Sequence, residues 1–150
     1  MIAAAQQPFW QTKSLAEMSD QEWEALCDGC GRCCLHKLED EDSGEVYYTD
    51  VACRLLDEQR CRCRDYERRL ERVPGCLQLR KSLAEFAYSL PLSCAYRRLH
   101  EGRGLAAWHP LIAGDERAMR QLGVMVAGRC VSELEVAEEE FEDHIIHWVD

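Results

Sequence analysis

Cys27-Asp28-Gly29-Cys30-Gly31-Arg32-Cys33-Cys34 decides how this chain is read. Its cysteines are spaced Cys-x2-Cys-x2-Cys-Cys, with two glycines between them. A Cys-x2-Cys pair turns the chain so that two sulfurs face one point. The glycines permit the positive φ values a tight loop needs and leave backbone N–H groups free to point at sulfur. The thiolate is the ligand form of cysteine, and a bound metal deprotonates it outright. The loop therefore reads as the first half of a metal site.

Working outward, Cys53, Cys61, Cys63, Cys76 and Cys94 supply further sulfurs, whereas Cys130 stands apart in an apolar run and reads as a small buried hydrophobe. Nine sulfurs between positions 27 and 94 exceed the four of one structural zinc. Two tetrahedral zinc sites use eight, and one iron–sulfur cluster uses four, for which Cys-x2-Cys-x2-Cys is also a ligating spacing. Adjacent Cys33 and Cys34 are poor equivalents in one mononuclear tetrahedron; they suit neighbouring centres or a bridge. Spacing leaves zinc and iron both open. His36 and His109 are candidate additional ligands, although each read alone is a hydrogen-bonded structural histidine. Arg32 and Arg62 sit beside ligand cysteines, where they can offset thiolate charge.

Ten cysteines in 150 residues imply either disulfides or metal ligation. The N-terminal stretch lacks the basic and apolar regions of a signal peptide, and no apolar run reaches the roughly 18 residues of a membrane span. The expectation is a cytoplasmic protein with reduced thiols and no membrane partner. The net charge of −10 argues against general nucleic-acid binding. Charge is nonetheless segregated: residues 1–52 carry 3 basic and 11 acidic side chains, residues 53–104 carry 12 and 7, and residues 131–150 carry 8 acids and no Lys or Arg. Acidic flanks packing beside a basic centre account for this. The alternative is a basic surface around Arg60–Arg72 for an anionic partner, such as another protein.

The expected fold is α+β: a small, irregular, cysteine-rich single domain over 1–150, with short hairpins and several short helices. Its metal-binding part spans 27–94, and a helical and strand remainder spans 95–150. Ser19 to Glu22 is a capping box, with Met18 and Trp23 placed as a hydrophobic staple, so a helix delivers the chain into the loop. Cys34–Leu38 and Val46–Thr49 form a hairpin around the acidic turn 39–44, which lacks calcium-loop spacing. A second small hairpin returns Cys61 toward Cys53. An extended Cys61-Arg62-Cys63 would point both sulfurs to one side. Tyr66–Val73 is a short helix and Pro74-Gly75 a turn. Ser82 to Glu85 is a second capping box, starting a helix, and Leu92–Glu101 is another helix carrying Cys94. Val124–Val126 and Cys130-Val131 read as strands. The acidic tail forms a helix with a weak apolar stripe of Val136, Phe141, Ile145 and Trp148. No Ser-His-Asp order, phosphate-binding loop or dinucleotide fingerprint is present, and no catalytic residue is assigned.

The stretch Cys27 to Leu38 resembles the signature of the bacterial YcgN family, within the wider YkgJ-type CxxCxxCC group of zinc- or iron-chelating domains. The likeness continues in Pro8-Phe9-Trp10, Val51-Ala52-Cys53-Arg54-Leu55-Leu56, Cys61-Arg62-Cys63, Val73-Pro74-Gly75-Cys76, Cys94-Ala95-Tyr96-Arg97 and 108–115, nearly the whole chain. It implies that Cys27, Cys30, Cys33, Cys34, Cys53, Cys61 and Cys76 are the cysteines shared across the group. Cys63 and Cys94 are additions of the narrower family, and Cys130 corresponds to nothing in either pattern. The implied cofactor is Zn or Fe, with an iron–sulfur cluster as one form. Larger proteins of the wider group are linked to protein lysine methylation with an iron–sulfur centre. This chain has room for the cysteine domain and little else, so that activity does not transfer. Whether the protein is an enzyme stays open. A redox or protein-modifying enzyme stands as the second reading beside a metal-binding protein.

Overall fold

A computed structural model describes residues 7–73, 76 and 78–149. Every element is short, and the architecture is a small mixed α+β one, as expected. Helices α1 (Phe9–Thr12) and α2 (Asp20–Ala25) precede the cysteine loop, which ends in a 3₁₀ turn at Arg32–Cys34. Strands β1 (Leu35–Glu39), β2 (Val46–Ala52), β3 (Leu56–Asp57) and β4 (Arg62–Cys63) follow, then α3 (Arg69–Arg72), α4 (Leu79–Phe86), α5 (Ala95–His100), α6 (Pro110–Ala113), α7 (Arg117–Gln121) and β5 (Val131–Ser132).

The capping box before α2 forms. Glu22 N–H donates to Ser19 Oγ at 3.1 Å, and Ser19 N–H donates to the Glu22 carboxylate at 2.9 Å. The expected first hairpin is β1–β2, antiparallel with Leu38 opposite Tyr47 and Glu39 opposite Val46. β5 joins β2 in parallel, Val51 opposite Val131. β3 and β4 make the second hairpin, with Leu56 opposite Cys63.

Four expectations change. α4 starts at Leu79, so Ser82 lies inside the helix rather than capping it. Leu79, Leu83 and Ala87 continue one apolar face at i, i+4 spacing, and packing of that face extends the helix upstream. The run 124–126 is not a strand; its side chains are buried, and Val126 N–H donates to the Cys30 carbonyl at 2.9 Å. The tail is a 3₁₀ run over Glu138–His144 instead of an α-helix. Its crowded carboxylates repel at helical spacing, and Ile146 N–H ties it to Tyr48 of β2 at 2.8 Å. Finally, Cys61 is not extended. Its φ is +58°, the left-handed region that side chains seldom occupy, and its N–H closes a turn on the Asp57 carbonyl at 2.8 Å. That turn sends the Cys61 and Cys63 side chains to different surroundings. The Pro74-Gly75 turn lies outside the described residues.

Burial divides into two apolar clusters. A helix-side core holds Met18, Trp23, Leu26, Leu83, Leu90 and Tyr96. A strand-side core holds Leu35, Tyr48, Leu56, Met119, Val126 and Val149. The site lies where the two meet.

Candidate metal centre

A cavity of about 650 Å³ opens at the junction, walled by Trp23, Leu90 and Tyr96 from one core and Leu35 and Leu56 from the other. Eight of the ten cysteines line it: Cys27, Cys30, Cys33, Cys34, Cys53, Cys63, Cys76 and Cys94. All ten are free thiols.

The helix side delivers Cys27 and Cys94. Cys27 follows α2 and Cys94 immediately precedes α5. The two helices are locked together by Trp23 and Tyr96, whose ring centroids stand 4.5 Å apart, and by the Tyr96 hydroxyl, which donates to the Trp23 carbonyl at 2.7 Å. The strand side delivers the others through backbone bonds. Cys53 N–H donates to the Cys34 carbonyl at 2.8 Å, and Arg64 N–H donates to the Leu55 carbonyl at 2.6 Å, which holds β4 and Cys63 in place. Arg54 Nη2 donates to the Arg72 carbonyl at 2.7 Å, and Cys76 N–H donates to the Val73 carbonyl at 2.9 Å, which ties Cys76 through Val73 and Arg72 to the neighbour of Cys53.

The four predicted accessory residues separate. Arg32 is not left in solvent: its guanidinium donates to the Val124 carbonyl at 2.7 Å and to Ser93 Oγ, next to Cys94, at 3.2 Å. It clamps the loop to both of its neighbours. Arg62 is exposed on β4. His109 is 2% exposed, and both ring nitrogens are engaged. Leu111 N–H donates to Nδ1 at 3.0 Å, so Nε2 carries the proton and donates to the Leu26 carbonyl at 2.7 Å. His109 thus fixes the residue before Cys27 and has no nitrogen free for a metal. His36 lines the cavity with its ring against Phe141; its Nε2 stands 3.4 Å from a Glu133 oxygen but is buried without a hydrogen-bond partner among the described residues.

Cys61 is not brought to the cavity wall. It is 4% exposed in the strand-side core, beneath the loop. A Cβ built on Gly31 would stand 3.4 Å from its Sγ and 2.8 Å from Val126 Cγ2, so Gly31 is needed both for this close approach and for its φ of +78°. Cys130 packs against the same core.

Two residues that sequence reasoning passed over line the cavity. Asp28 is 9% exposed; one carboxylate oxygen accepts from Cys30 N–H at 2.9 Å, and the other, Oδ2, is buried without a partner among the described residues. Lys37, on β1, holds its amine over the Tyr48 ring, 5.6 Å from the centroid; burial lowers its pKa, against the charges of Cys33, Cys94 and Cys34. A charged residue inside Cys-x2-Cys was the available signal for Asp28; nothing local marks Lys37.

Burial governs the thiols. It pushes Cys27 up to about 12 and Cys94 up to about 11, with the neighbouring Cys33 charge adding to each, and it raises Cys30, Cys53 and Cys76. Cys33 and Cys34 share a hydrogen bond, which brings Cys33 down to about 7 and holds Cys34 protonated; the two steps belong to the pair. Left to themselves, most of these thiols stay neutral. A cation stabilises the thiolate set, and eight soft sulfurs with one unpartnered carboxylate suit zinc or iron. The donors stand apart around the cavity: among the described residues, no three His, Cys, Asp or Glu side chains form a group already set to hold an ion. No helix among the described residues is long and apolar enough to cross a membrane.

Residues 26–95 match the CxxCxxCC family model, described as a "Putative zinc- or iron-chelating domain". The chain is 56% identical over 145 residues to a UPF0260 protein of Marinobacter nauticus, covering 97% of this chain and 98% of that one. It is 55% identical over 142 residues to a UPF0260 protein of Allorhizobium ampelinum, covering 95% and 89%. It is also 55% identical over 141 residues to one of Rhodopseudomonas palustris, covering 93% and 83%. No solved structure matches the chain. A cysteine loop, its cavity and end-to-end likeness to these relatives lead to one assignment: the chain belongs to the UPF0260 family, the YcgN family of the sequence resemblance.

Proposed function

We propose that this protein binds zinc or iron through Cys27, Cys30, Cys33, Cys34, Cys53, Cys63, Cys76 and Cys94 in a reducing cytoplasm, and that the metal holds the cysteine-rich part together. One observation carries the reading: eight cysteines from five separate stretches of chain line a single cavity. Cys61 leaves the ligand set and serves as packing beneath the loop. The chemistry a bound metal supplies is charge compensation and crosslinking. The chain's own residues do the rest: Arg32 and His109 hold the loop and Leu26 in place, and Lys37 supplies a cation beside the sulfurs.

Elemental analysis of anaerobically purified protein tests this. Zinc or iron is expected in stoichiometric amount. Cys30→Ala is expected to lower it and Cys130→Ala to leave it unchanged; equal losses would show that the cysteines are wrongly sorted. Broad visible charge-transfer absorption with iron would favour an iron–sulfur redox or modifying role, and a colourless zinc protein a structural one. Arg60, Arg62 and Arg64 carry no ion pair within 4.0 Å among the described residues. They are the available contact for an acidic protein partner.

A further inference from the structure

Residues 145–149 form no helix or strand, yet with His144 before them they fasten onto two of the elements that deliver the cysteines. On one side they grip β2. Ile145 bridges Thr49, Ile146 N–H donates to the Tyr48 carbonyl at 2.8 Å, and His144 Nδ1 stands 2.8 Å from an Asp50 oxygen. β2 runs directly into Cys53, whose N–H is bonded to the Cys34 carbonyl. On the other side they reach the cysteine loop. The Trp148 ring meets two guanidiniums, with Arg129 3.6 Å and Arg32 5.8 Å from its centroid, where a cation is attracted to the ring face. Both arginines also donate to the Gly123 carbonyl, at 2.9 and 3.4 Å.

A second observation joins the same parts. Val149 is 5% exposed in the strand-side core, the cluster that also holds Cys30, Val124 and Val126, and Ile146 and Trp148 pack against it. Arg32 lies between Cys30 and Cys33 and donates to the Val124 carbonyl, while Val126 N–H donates to the Cys30 carbonyl. The loop and the end segment thus share one core and one arginine. The segment's own fastenings are few: one bridge to β2, a part-exposed His144–Asp50 contact and the side chains Ile146, Trp148 and Val149. Pieces held this lightly open before the rest of a fold, and whatever orders the loop orders what packs on it.

Resting on the metal-binding reading, we propose that residues 144–149 are a strap that positions the cysteine loop through Trp148 and Arg32, so that docking of the strap and binding of zinc or iron stabilise each other. The coupling acts equally in both directions. Trp148 does not line the cavity; it is a positioning residue that acts through Arg32.

Zinc affinity of the full-length reduced protein, measured anaerobically by competition with a chromophoric chelator, tests this. Trp148→Ala is expected to weaken binding about tenfold, within the usual range of coupling between sites. Arg32→Gln removes the same link together with the bonds to Val124 and Ser93, so it should weaken binding at least as much, and in its background Trp148→Ala should add little. Trp148→Phe keeps an aromatic face for the guanidiniums and should recover most of the affinity. Arg129→Gln alters an exposed side chain, loosens the strap without touching the loop and should weaken binding about two- to fivefold. In zinc-loaded Trp148→Ala, amide protection should fall at Cys34 and Val126, whose N–H groups are bonded to the Gly31 and Cys30 carbonyls, while α4 and α5 keep theirs. If Trp148→Ala does not fold, Trp148→Phe and Arg129→Gln decide the matter. Unchanged affinity in both Trp148→Ala and Arg129→Gln, or losses that multiply in the double variant, overturns the strap while leaving metal binding intact. Wild-type protein that binds no zinc overturns the metal-binding reading itself, and the coupling with it.

Discussion

On the helix side of the cavity, Cys27 and Cys94 sit at the ends of helices that already share an apolar core: Trp23 stacks on Tyr96, and Leu26, Leu83 and Leu90 close around them. On the strand side, Cys34, Cys53, Cys63 and Cys76 hang on hairpins and turns. Residues 53–73 contribute only Leu55, Leu56 and Leu70 as large aliphatic side chains. The difference shows two ways of placing a sulfur. One uses apolar packing that exists before any metal binds. The other uses backbone hydrogen bonds whose ordering must be stabilised from elsewhere.

The sharpest way to break that comparison is to remove the metal under reducing conditions and follow amide hydrogen exchange. Ordering the backbone costs about 1–2 kcal/mol per residue, and a buried aliphatic side chain returns about 1.5–3 kcal/mol. A structural metal contributes on the order of 10 kcal/mol. Protection over residues 27–76 is expected to collapse on stripping, while α4 and α5 partly retain theirs. Unchanged protection across 27–76 would mean that the strand side stands without metal.

Raising the pH of stripped protein is the next test. Cys27, Cys30, Cys53, Cys76 and Cys94 have folded-state pKa values raised above the ordinary 9, chiefly by burial. Their contribution is fully present below that value and is lost as pH rises toward about 12, because the unfolded chain releases its protons first. Cys33, lowered to about 7, runs the opposite way and is outnumbered. In stripped protein only Cys94, beside the retained α5, keeps such an environment, so the denaturant midpoint of the helix side should fall modestly above pH 9, and that of loaded protein should fall less. Parallel curves would show that metal does not take up the thiol charge.

A smaller effect, confined to the strand side, comes from Gly31→Ala. The new Cβ meets Val126 Cγ2 at 2.8 Å in a left-handed backbone, for a cost of about 1–3 kcal/mol. Denaturant unfolding measures it, and the loss should be accompanied by weaker metal retention, since Cys30 and Cys33 flank the glycine. Tyr96→Phe is the gentlest probe and touches only the helix side. Removing the hydroxyl that donates to the Trp23 carbonyl should cost about 0.5–1.5 kcal/mol and leave metal content unchanged. Metal loss in this variant would show that the helix-side core is not independent of the centre.

Much of this molecule was readable from residues near one another in the chain. The capping box at Ser19 and Glu22, both hairpins and the glycine-bearing cysteine loop all depend on contacts within a few residues, and each formed. The boundaries of α4 and the tail were misread, because apolar packing in one and crowded acids in the other outweighed local signals.

The sequence by itself determined the chemistry on offer: soft sulfur donors at ligand spacing, delivered by a helix and two hairpins. Tertiary structure alone decided which sulfurs share a wall. Cys61 and Cys63 are two residues apart, yet one is buried beneath Gly31 and the other lines the cavity, because a single left-handed φ turns the chain between them. Asp28 became an unpartnered carboxylate, and Arg32 a clamp, only when segments sixty to ninety residues away packed against the loop. Spacing along a chain sets which atoms are available, but burial and partner are set by what folds against them. No local pattern carries that information.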